Sequence, residues 1–300
     1  MDSRRFPSIA DLKRRYLGAF RDLGRELDQL LRRDATGAGS PDWMGSQARS
    51  ASKTYERALR TVLGPDGDGG IAAELVEAGL LSGKLLGHQA AEWAGFPTGP
   101  VDDDVPRPPA YTRLVQGVVS QTRQLLTTAL ADHREACERI RRASMSGWGH
   151  DAADQEDLVV IPFAWVDRVV YEAVHASYLD TLVACGVDVI YITGPAARCG
   201  TCAYARHQRL FSISGNDPTL PPLSSVTVYA TPPLWHACCK HPGVPYSENG
   251  PLSLEELPEK LWEYGYELGI GALIFGKRHS GEREAGDVDG GEPEVRDGRP

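Results

Sequence analysis

The segment Val187-Asp-Val-Ile-Tyr-Ile-Thr193 decides the fold, because a long series of helical patterns gives way here to a strand. Its β-branched and aromatic residues favour extended chain, and Gly194-Pro195 follows it directly. A pair of cysteines, Cys199-Gly-Thr-Cys202, comes next, and a second short strand is predicted over residues 209–214. A third strand is expected over residues 226–230. The sequence therefore predicts a small β module late in the chain.

Helical periodicity dominates the chain before this module. Apolar residues recur in steps of three and four, which places them on one face of each helix. The predicted helices span residues 8–34, 41–63, 71–93, 111–145 and about 163–182, and one more follows the module over residues 253–268. Ser8 and Asp11 form a capping-box-like start for the first helix, and Gly186 suits the end of the fifth.

Two clusters of metal-capable side chains fall within the module. The first is Cys199-x-x-Cys202, and the second contains His236, Cys239 and His241. Thiolate and imidazole are the ligands that zinc prefers, and two separated clusters can complete one tetrahedron. Because two cysteines and two further ligands fill the coordination sphere, the sequence predicts a structural zinc site rather than a catalytic one.

The sequence leaves the fourth ligand open. His236-x-x-Cys239 and Cys239-x-His241 each provide a suitable pair. Cys238 is not expected to bind together with Cys239, because neighbouring side chains in extended chain point to opposite sides. The alternative to a metal site is a set of unligated thiols buried in a small core. His207 has arginine neighbours and is expected in an exposed loop.

These patterns predict an α+β fold, with a mostly helical N-terminal part, a small β-containing module stapled by zinc, and a C-terminal helix. Zinc would contribute on the order of 10 kcal/mol to a module too small to order itself. The predicted regions are an N-terminal helical region (1–95), a Pro- and Asp-rich linker (96–110), a second helical region (111–186), the zinc-binding β module (187–250), the C-terminal helix (251–276) and a disordered tail (277–300).

Composition and charge narrow the class of protein. The formal net charge of -9 disfavours a protein whose whole surface binds the phosphate backbone of nucleic acid. Neither a secretory signal nor an apolar run long enough to span a membrane is visible, so we expect a protein that is made in a reducing cytoplasm and has no membrane partner. Six cysteines in that compartment are better explained by metal or burial than by disulfides, and Cys137 and Cys185 are expected to be buried and inert.

The basic face of the first helix is expected to be solvated and balanced by Asp22, Glu26 and Asp28.

The order of these motifs resembles one known family. A helix and a strand precede Gly-Pro and Cys-x-x-Cys, the strand Arg-Leu-Phe-Ser-Ile follows, and Pro-Pro-x-x-His-x-x-Cys-x-His ends the series at His241. This arrangement is similar to the phage minor head proteins related to protein F of phage Mu and to the phage minor capsid protein 2 group. Trp235 lengthens one step of the family pattern by a residue, and Lys240 stands where arginine is usual. The resemblance covers about residues 163–246.

The resemblance implies a structural role and no enzymatic activity. The expected protein is a minor capsid component of a tailed bacteriophage or prophage and is concerned with head morphogenesis. Its expected location is the virion head, and the bacterial host cytoplasm during assembly. Its expected partners are the phage portal protein, the major capsid or scaffold protein, and packaged DNA, with structural zinc as the one cofactor. A metal-dependent nuclease of the His-Asn-His kind and a zinc-stapled DNA-binding protein are the alternatives. Against the nuclease, a full zinc set leaves no ligands for a second metal ion.

Overall fold

The structure, a computed structural model, describes residues 8–34, 37–38, 40, 42–101, 104, 111–146, 160–193, 204–205, 207–226, 243–248 and 250–271. The described part is mostly helical with one small antiparallel sheet, which confirms an α+β fold. Its helices are α1 (Ile9–Asp34), α2 (Trp43–Leu63), α3 (Gly70–Trp93), α4 (Tyr111–Ser146), α5 (Val160–Ala184) and α6 (Glu256–Glu267). Its strands are β1 (Val189–Ile192), β2 (Leu210–Ser212) and β3 (Gly243–Pro245).

Helix α1 buries the apolar face that its sequence predicts. The backbone N–H of Asp11 donates to the hydroxyl oxygen of Ser8 at 3.1 Å, which caps the first turn. The buried face residues are Ile9, Leu12, Tyr16, Phe20, Leu23 and Leu27. On the other face, ion pairs join Arg25 to Asp22, Arg32 to Asp28, and Arg57 of α2 to Glu26. The expected balance of basic and acidic side chains on this helix is therefore confirmed.

Among the described helices, α3 and α5 pack against each other most extensively. Gly79, Gly83 and Gly87 lie four residues apart on α3, so they share one face of the helix. A methyl group at Gly83 would lie 2.1 Å from the carbonyl oxygen of Val174, and one at Gly87 would lie 2.8 Å from that of Tyr178. The backbones approach each other closely because these positions carry no side chain.

A glycine ends α5 and turns the chain into the sheet. Gly186 has a φ of +81°, which a residue without a Cβ adopts at little cost. The N–H of Val187 donates to the carbonyl oxygen of Leu182 at 2.9 Å, and that of Gly186 donates to Val183 at 2.9 Å. This pair of bonds is a Schellman motif. The predicted end of the helix is confirmed.

The sheet has the order β2-β1-β3, and both pairings are antiparallel. Ile190 lies opposite Phe211 on β2 and opposite Pro245 on β3. Ile190, Phe211 and Val244 are completely buried and belong to the same core as the helices. The sheet thus has an apolar face inside the main core. The sequence predicted a module too small to order itself, and that prediction did not include this stabilising contact with the helices.

Helix α6 begins with the reciprocal bonds of a capping box. The N–H of Ser253 donates to the carboxylate of Glu256 at 3.0 Å, and the N–H of Glu256 donates to the hydroxyl oxygen of Ser253 at 3.2 Å. The ring of Tyr264 then packs edge-on against Trp93 of α3, with centroids 5.9 Å apart. The last predicted helix is therefore confirmed, and it packs on the helical core.

Some predictions differ from the structure, and others concern residues outside the described part. Val226, the predicted start of a third strand, ends a 3-10 turn (Leu223–Val226), and residues 227–230 lie outside the described part. Among the described residues, the third strand of the sheet is β3, which the sequence did not indicate. The predicted tail, most of the linker and the zinc ligands also lie outside the described residues. None of the helices within the described ranges combines the length and apolar character needed to cross a membrane.

Candidate functional site

Three strand ends lie together at one end of the sheet. Because both pairings are antiparallel, the last residues of β1 lie beside the first residues of its two neighbours. Ile192 is opposite Gly243, and Tyr191 is opposite Leu210. The connection from β1 to β2 and the segment before β3 therefore both meet the sheet here. We call this the loop end of the sheet, defined by Ile192, Leu210 and Gly243.

The sequence-predicted ligands themselves lie outside the described residues. They are Cys199, Cys202, His236, Cys239 and His241. Cys199 and Cys202 belong to the connection that leaves β1 and returns at β2, and the other three belong to the segment that enters β3. Both clusters are therefore joined by the chain to the loop end of the sheet.

A buried hydroxyl group fixes the start of β3. The hydroxyl of Tyr178 on α5 donates to the carbonyl oxygen of Gly243 at 2.9 Å, and the tyrosine side chain is buried. Burial raises the pKa of Tyr178 far above its ordinary value, so the hydroxyl keeps its proton and remains a donor. This hydrogen bond ties the point where the chain enters β3 to the central helix of the core.

Arg209 closes the connection between β1 and β2. Its backbone has a φ of +65°, its N–H donates to the carbonyl oxygen of Ala205 at 2.8 Å, and its own carbonyl oxygen accepts from Ile192 at 2.7 Å. The guanidinium group donates to the hydroxyl of Tyr191, and its central carbon lies 5.7 Å from the tyrosine ring centroid. The side-chain contact between Arg209 and Tyr191 therefore adds to the backbone hydrogen bonds that hold the start of β2 beside the end of β1.

The opposite end of the sheet is organised by Asp188. Its carboxylate accepts hydrogen bonds from the hydroxyl of Ser212 at 2.7 Å and from the N–H of Ser214 at 2.8 Å. Burial on its own would raise the pKa of Asp188, but the hydrogen bonds from Ser214 and Ser212 outweigh it and hold the pKa below its ordinary value. The carboxylate stays ionised near neutral pH and supports the turn after β2, away from the loop end.

The two cysteines that the structure describes keep their protons at neutral pH. Cys137 on α4 is buried, and its sulfur lies 3.6 Å from Nε2 of His133. Burial raises the pKa of Cys137 to about 11 and lowers the pKa of His133, so no thiolate–imidazolium pair forms. Cys185 is half-buried, and burial raises its pKa as well. The prediction of an inert, buried thiol is confirmed for Cys137, whereas Cys185 is only partly covered.

The sequence did not identify Tyr178 and Arg209 as residues whose side chains form hydrogen bonds at the loop end. Tyr178 lies within the predicted fifth helix, and a buried tyrosine hydroxyl needs a hydrogen-bond partner, so a hydrogen bond could have been expected but not its acceptor. Arg209 was predicted only as the start of a strand, and nothing in the sequence indicates its left-handed backbone. His207, predicted in an exposed loop, is exposed as predicted but has helical backbone.

Within the described ranges, no group of three or more His, Cys, Asp or Glu side chains is arranged to hold a metal ion. No known protein family matches the sequence, and neither a curated protein nor a solved structure is significantly similar to it.

Proposed function

We propose that this chain is a structural minor capsid protein of a tailed bacteriophage or prophage, in which one zinc ion joins the two Cys- and His-containing segments. The observation that supports the proposal best is the strand register at the loop end. Ile192 is opposite Gly243 and Tyr191 is opposite Leu210, so segments far apart in sequence meet the sheet side by side.

Chain connectivity limits how far the proposed ligands lie from the described residues. His241 is two positions before Gly243, and Cys202 is two positions before Tyr204, which is at most about 7 Å of chain in each case. Strands β2 and β3 flank β1, so Leu210 and Gly243 lie about 10 Å apart. The N–H of Arg209 donates to the carbonyl oxygen of Ala205, the residue after Tyr204, so this part of the chain also lies near β2. These contacts support the proposal that the two clusters share one ion.

The chemistry of the donor set fits zinc. Cys199, Cys202 and Cys239 would provide three thiolates, and either His236 or His241 would provide an imidazole. Four such ligands close the coordination sphere, so the ion would act by fixing the two segments to each other rather than by activating water. A rigid segment beside the loop end suits docking onto a larger assembly such as a portal or procapsid.

Metal analysis of the purified full-length protein tests the site. We expect about one zinc ion per chain, because the donor set forms a single tetrahedral centre. Cys199→Ser and Cys239→Ser should each lose most of the bound zinc, whereas Cys185→Ser, which changes a cysteine outside the clusters, should keep it. His236→Ala and His241→Ala then identify the fourth ligand. Absence of zinc from the unaltered protein, or full retention in both cysteine variants, would contradict the proposal.

The role in the virion needs a separate experiment. In the phage or prophage that encodes the chain, a tagged protein should co-purify with the portal protein and be present in purified heads. Heads should fail to assemble normally when Cys199→Ser replaces the natural protein. Cleavage of DNA by the purified protein with magnesium would instead indicate the nuclease, and tight duplex binding with a steep salt dependence would indicate the DNA-binding protein.

A further inference from the structure

Helix α2 carries a stripe of positive charge. Its basic residues are Arg49, Lys53, Arg57 and Arg60, and the acidic Glu56 lies among them. Steps of three and four along a helix place side chains on one face, so these residues form a stripe about 16 Å long. Every one of them is exposed to solvent. We call these residues the basic stripe.

Helix α6 carries the opposite pattern of charge. Its acidic residues are Glu256, Glu259, Glu263 and Glu267, and the basic Lys260 lies among them. These side chains are also exposed, and their spacing places them on one face of the helix. Lys260 pairs with Glu263 at 3.8 Å within the helix. We call these residues the acidic stripe.

The two stripes are complementary when α2 and α6 run antiparallel. Counted forward from Arg49, the other charged residues of α2 follow at four, seven, eight and eleven positions. Counted backward from Glu267, those of α6 follow at the same intervals. Each position that is positive on one helix is negative on the other, and this includes Glu56, which falls opposite Lys260. An antiparallel pairing therefore places opposite charges together along the whole length of both stripes.

Most charges of the basic stripe are not neutralised by the surrounding fold. Arg57 pairs with Glu26 of α1 at 3.0 Å, and largely exposed pairs of this kind are weak. Within the part of the chain that the structure describes, Arg49, Lys53 and Arg60 form no ion pair. Like charges four residues apart on a helix repel each other, as those of Arg49 and Lys53 do. An acidic partner would relieve this repulsion.

The two stripes of one chain lie far apart. Tyr55, which lies beside the middle of the basic stripe in sequence, contacts Thr127 of α4. The chain passes Arg123 as it enters α3 and Tyr111 further along α3, so α3 leads away from this part of α2. Residues 127 and 111 are about 24 Å apart along α4. Helix α3 then continues to Trp93, where α6 packs. One chain therefore cannot join its own stripes, whereas two copies can.

We infer that copies of this chain bind one another through these stripes, the basic stripe of one copy pairing with the acidic stripe of the next. The contact joins two different surfaces of the same chain, so each copy keeps one stripe free for a further neighbour, and the assembly is a ring or a filament. Nucleic acid would bind the basic stripe alone and would leave its match with α6 without a role. The inference depends neither on the zinc centre nor on the capsid role.

Sedimentation equilibrium of the purified full-length protein tests the contact. At about 10 mM salt, where charges act over about 30 Å, the average mass should rise above the 32.6 kDa of one chain as the protein concentration increases. At about 1 M salt, where charges act over only about 3 Å, the mass should return to that of one chain.

Charge reversal identifies the two surfaces. Arg49→Glu with Lys53→Glu reverses one end of the basic stripe, and Glu263→Lys with Glu267→Lys reverses the residues opposite to it. Each pair of changes should abolish association at low salt, because it places like charges together. An equimolar mixture of the two variants should associate again, and so should a single chain that carries all four changes. Damage to the fold would not be rescued in this way.

The control is Arg139→Glu with Arg141→Glu on α4, which alters the net charge as much as the change in the basic stripe. Both arginines are exposed and lie outside the stripes, so this variant should associate like the unaltered protein. Several outcomes would overturn the inference: a single chain at low salt, association that survives both reversals, or no recovery in the chain with four changes. If the protein stays a single chain and binds DNA through Arg49 and Lys53, the basic stripe belongs to nucleic acid instead.

Discussion

His133 shows how burial controls the charge of a single side chain. The imidazole is 2% exposed, and its Nδ1 has no hydrogen-bond partner among the described residues. It lies beside a small apolar cluster that contains Leu31, Trp43 and Cys137. A protonated imidazole would lose its hydration there without gaining an anionic partner, which is why burial lowers the pKa of His133 below 6.5.

We therefore expect acid to destabilise the protein through His133. The folded-state pKa is lower than the unfolded-state value near 6.5, so the unfolded chain binds the proton first as the pH falls. Stability from this group is complete above pH 6.5. It declines by at most about 1.4 kcal/mol per pH unit as the pH falls from there through the folded-state pKa.

Urea unfolding between pH 5 and 7.5 measures this dependence. His133→Gln should flatten the pH profile, because it removes the buried imidazole whose pKa is lowered in the folded state. A His133→Gln profile that is as steep as that of the unaltered protein would contradict the expectation.

At the scale of elements, the contact between α3 and α5 reverses the usual effect on stability of replacing a helical glycine by alanine. Replacing glycine by alanine inside a helix ordinarily stabilises it by about 0.5–1 kcal/mol, because the unfolded chain loses freedom and the helix gains propensity. At Gly83 the added methyl group would instead meet the carbonyl oxygen of Val174 at 2.1 Å. Backbone cannot move aside as a flexible side chain can.

Gly83→Ala should lower the free energy of unfolding by about 2 kcal/mol or more, because the two helices must separate to accommodate it. The control is Gly117→Ala on α4, where nothing lies within 4 Å of the added methyl group and a small gain in stability is expected. Urea unfolding of both variants measures the difference. Equal stabilities of the two variants would show that the α3–α5 contact is looser than described.

The sequence allowed the helices to be predicted almost residue by residue but not the whole sheet. Long apolar stripes and end signals such as Ser8, Gly186 and Ser253 give local information, which is why the helix bounds agree within a few residues. β3 consists of Gly243, Val244 and Pro245, a composition that local preference does not favour in a strand. Its order comes from pairing with β1, a contact that only the three-dimensional arrangement provides.

At the scale of the whole molecule, helices and sheet share one core. That core runs from Leu12 in α1 through Val174 in α5 to Phe211 in β2 and Leu261 in α6. Loss of the sheet would therefore expose helix surface, and loss of α5 would expose the sheet. Residues on both sides of the predicted boundary at residue 186 contribute to this core.

We accordingly expect the sheet and the central helix to unfold together. Native-state hydrogen exchange at low urea should give amides of β1 and amides of α5 the same free energy of opening, because elements of one core open as one cooperative unit. Mass spectrometry of peptides that cover Val189–Ile192 and residues 169–182 measures both values. Opening of β1 at a much lower free energy would indicate that the sheet is only loosely attached.

The chemistry of the proposed site rests on the sequence alone, whereas the contacts at the loop end come from the structure. Residue type and spacing predict zinc ligands, because paired cysteines and histidines are the donors that zinc prefers. The contacts of Tyr178 and Arg209 were not predicted, since each residue bonds a partner that is distant in sequence, Gly243 for the first and Tyr191 for the second. Such contacts depend on topology, and spacing along the chain carries no information about them.

The strand order has a further consequence for the newborn polypeptide. The ribosome releases the middle strand, Val189–Ile192, well before it releases Gly243–Pro245, the strand that covers one of its edges. Throughout that interval, an apolar strand with unpaired amide and carbonyl groups is free to recruit another nascent chain. Translation arrested between these two strands should therefore yield the most aggregation-prone form of the protein and the one most dependent on chaperones.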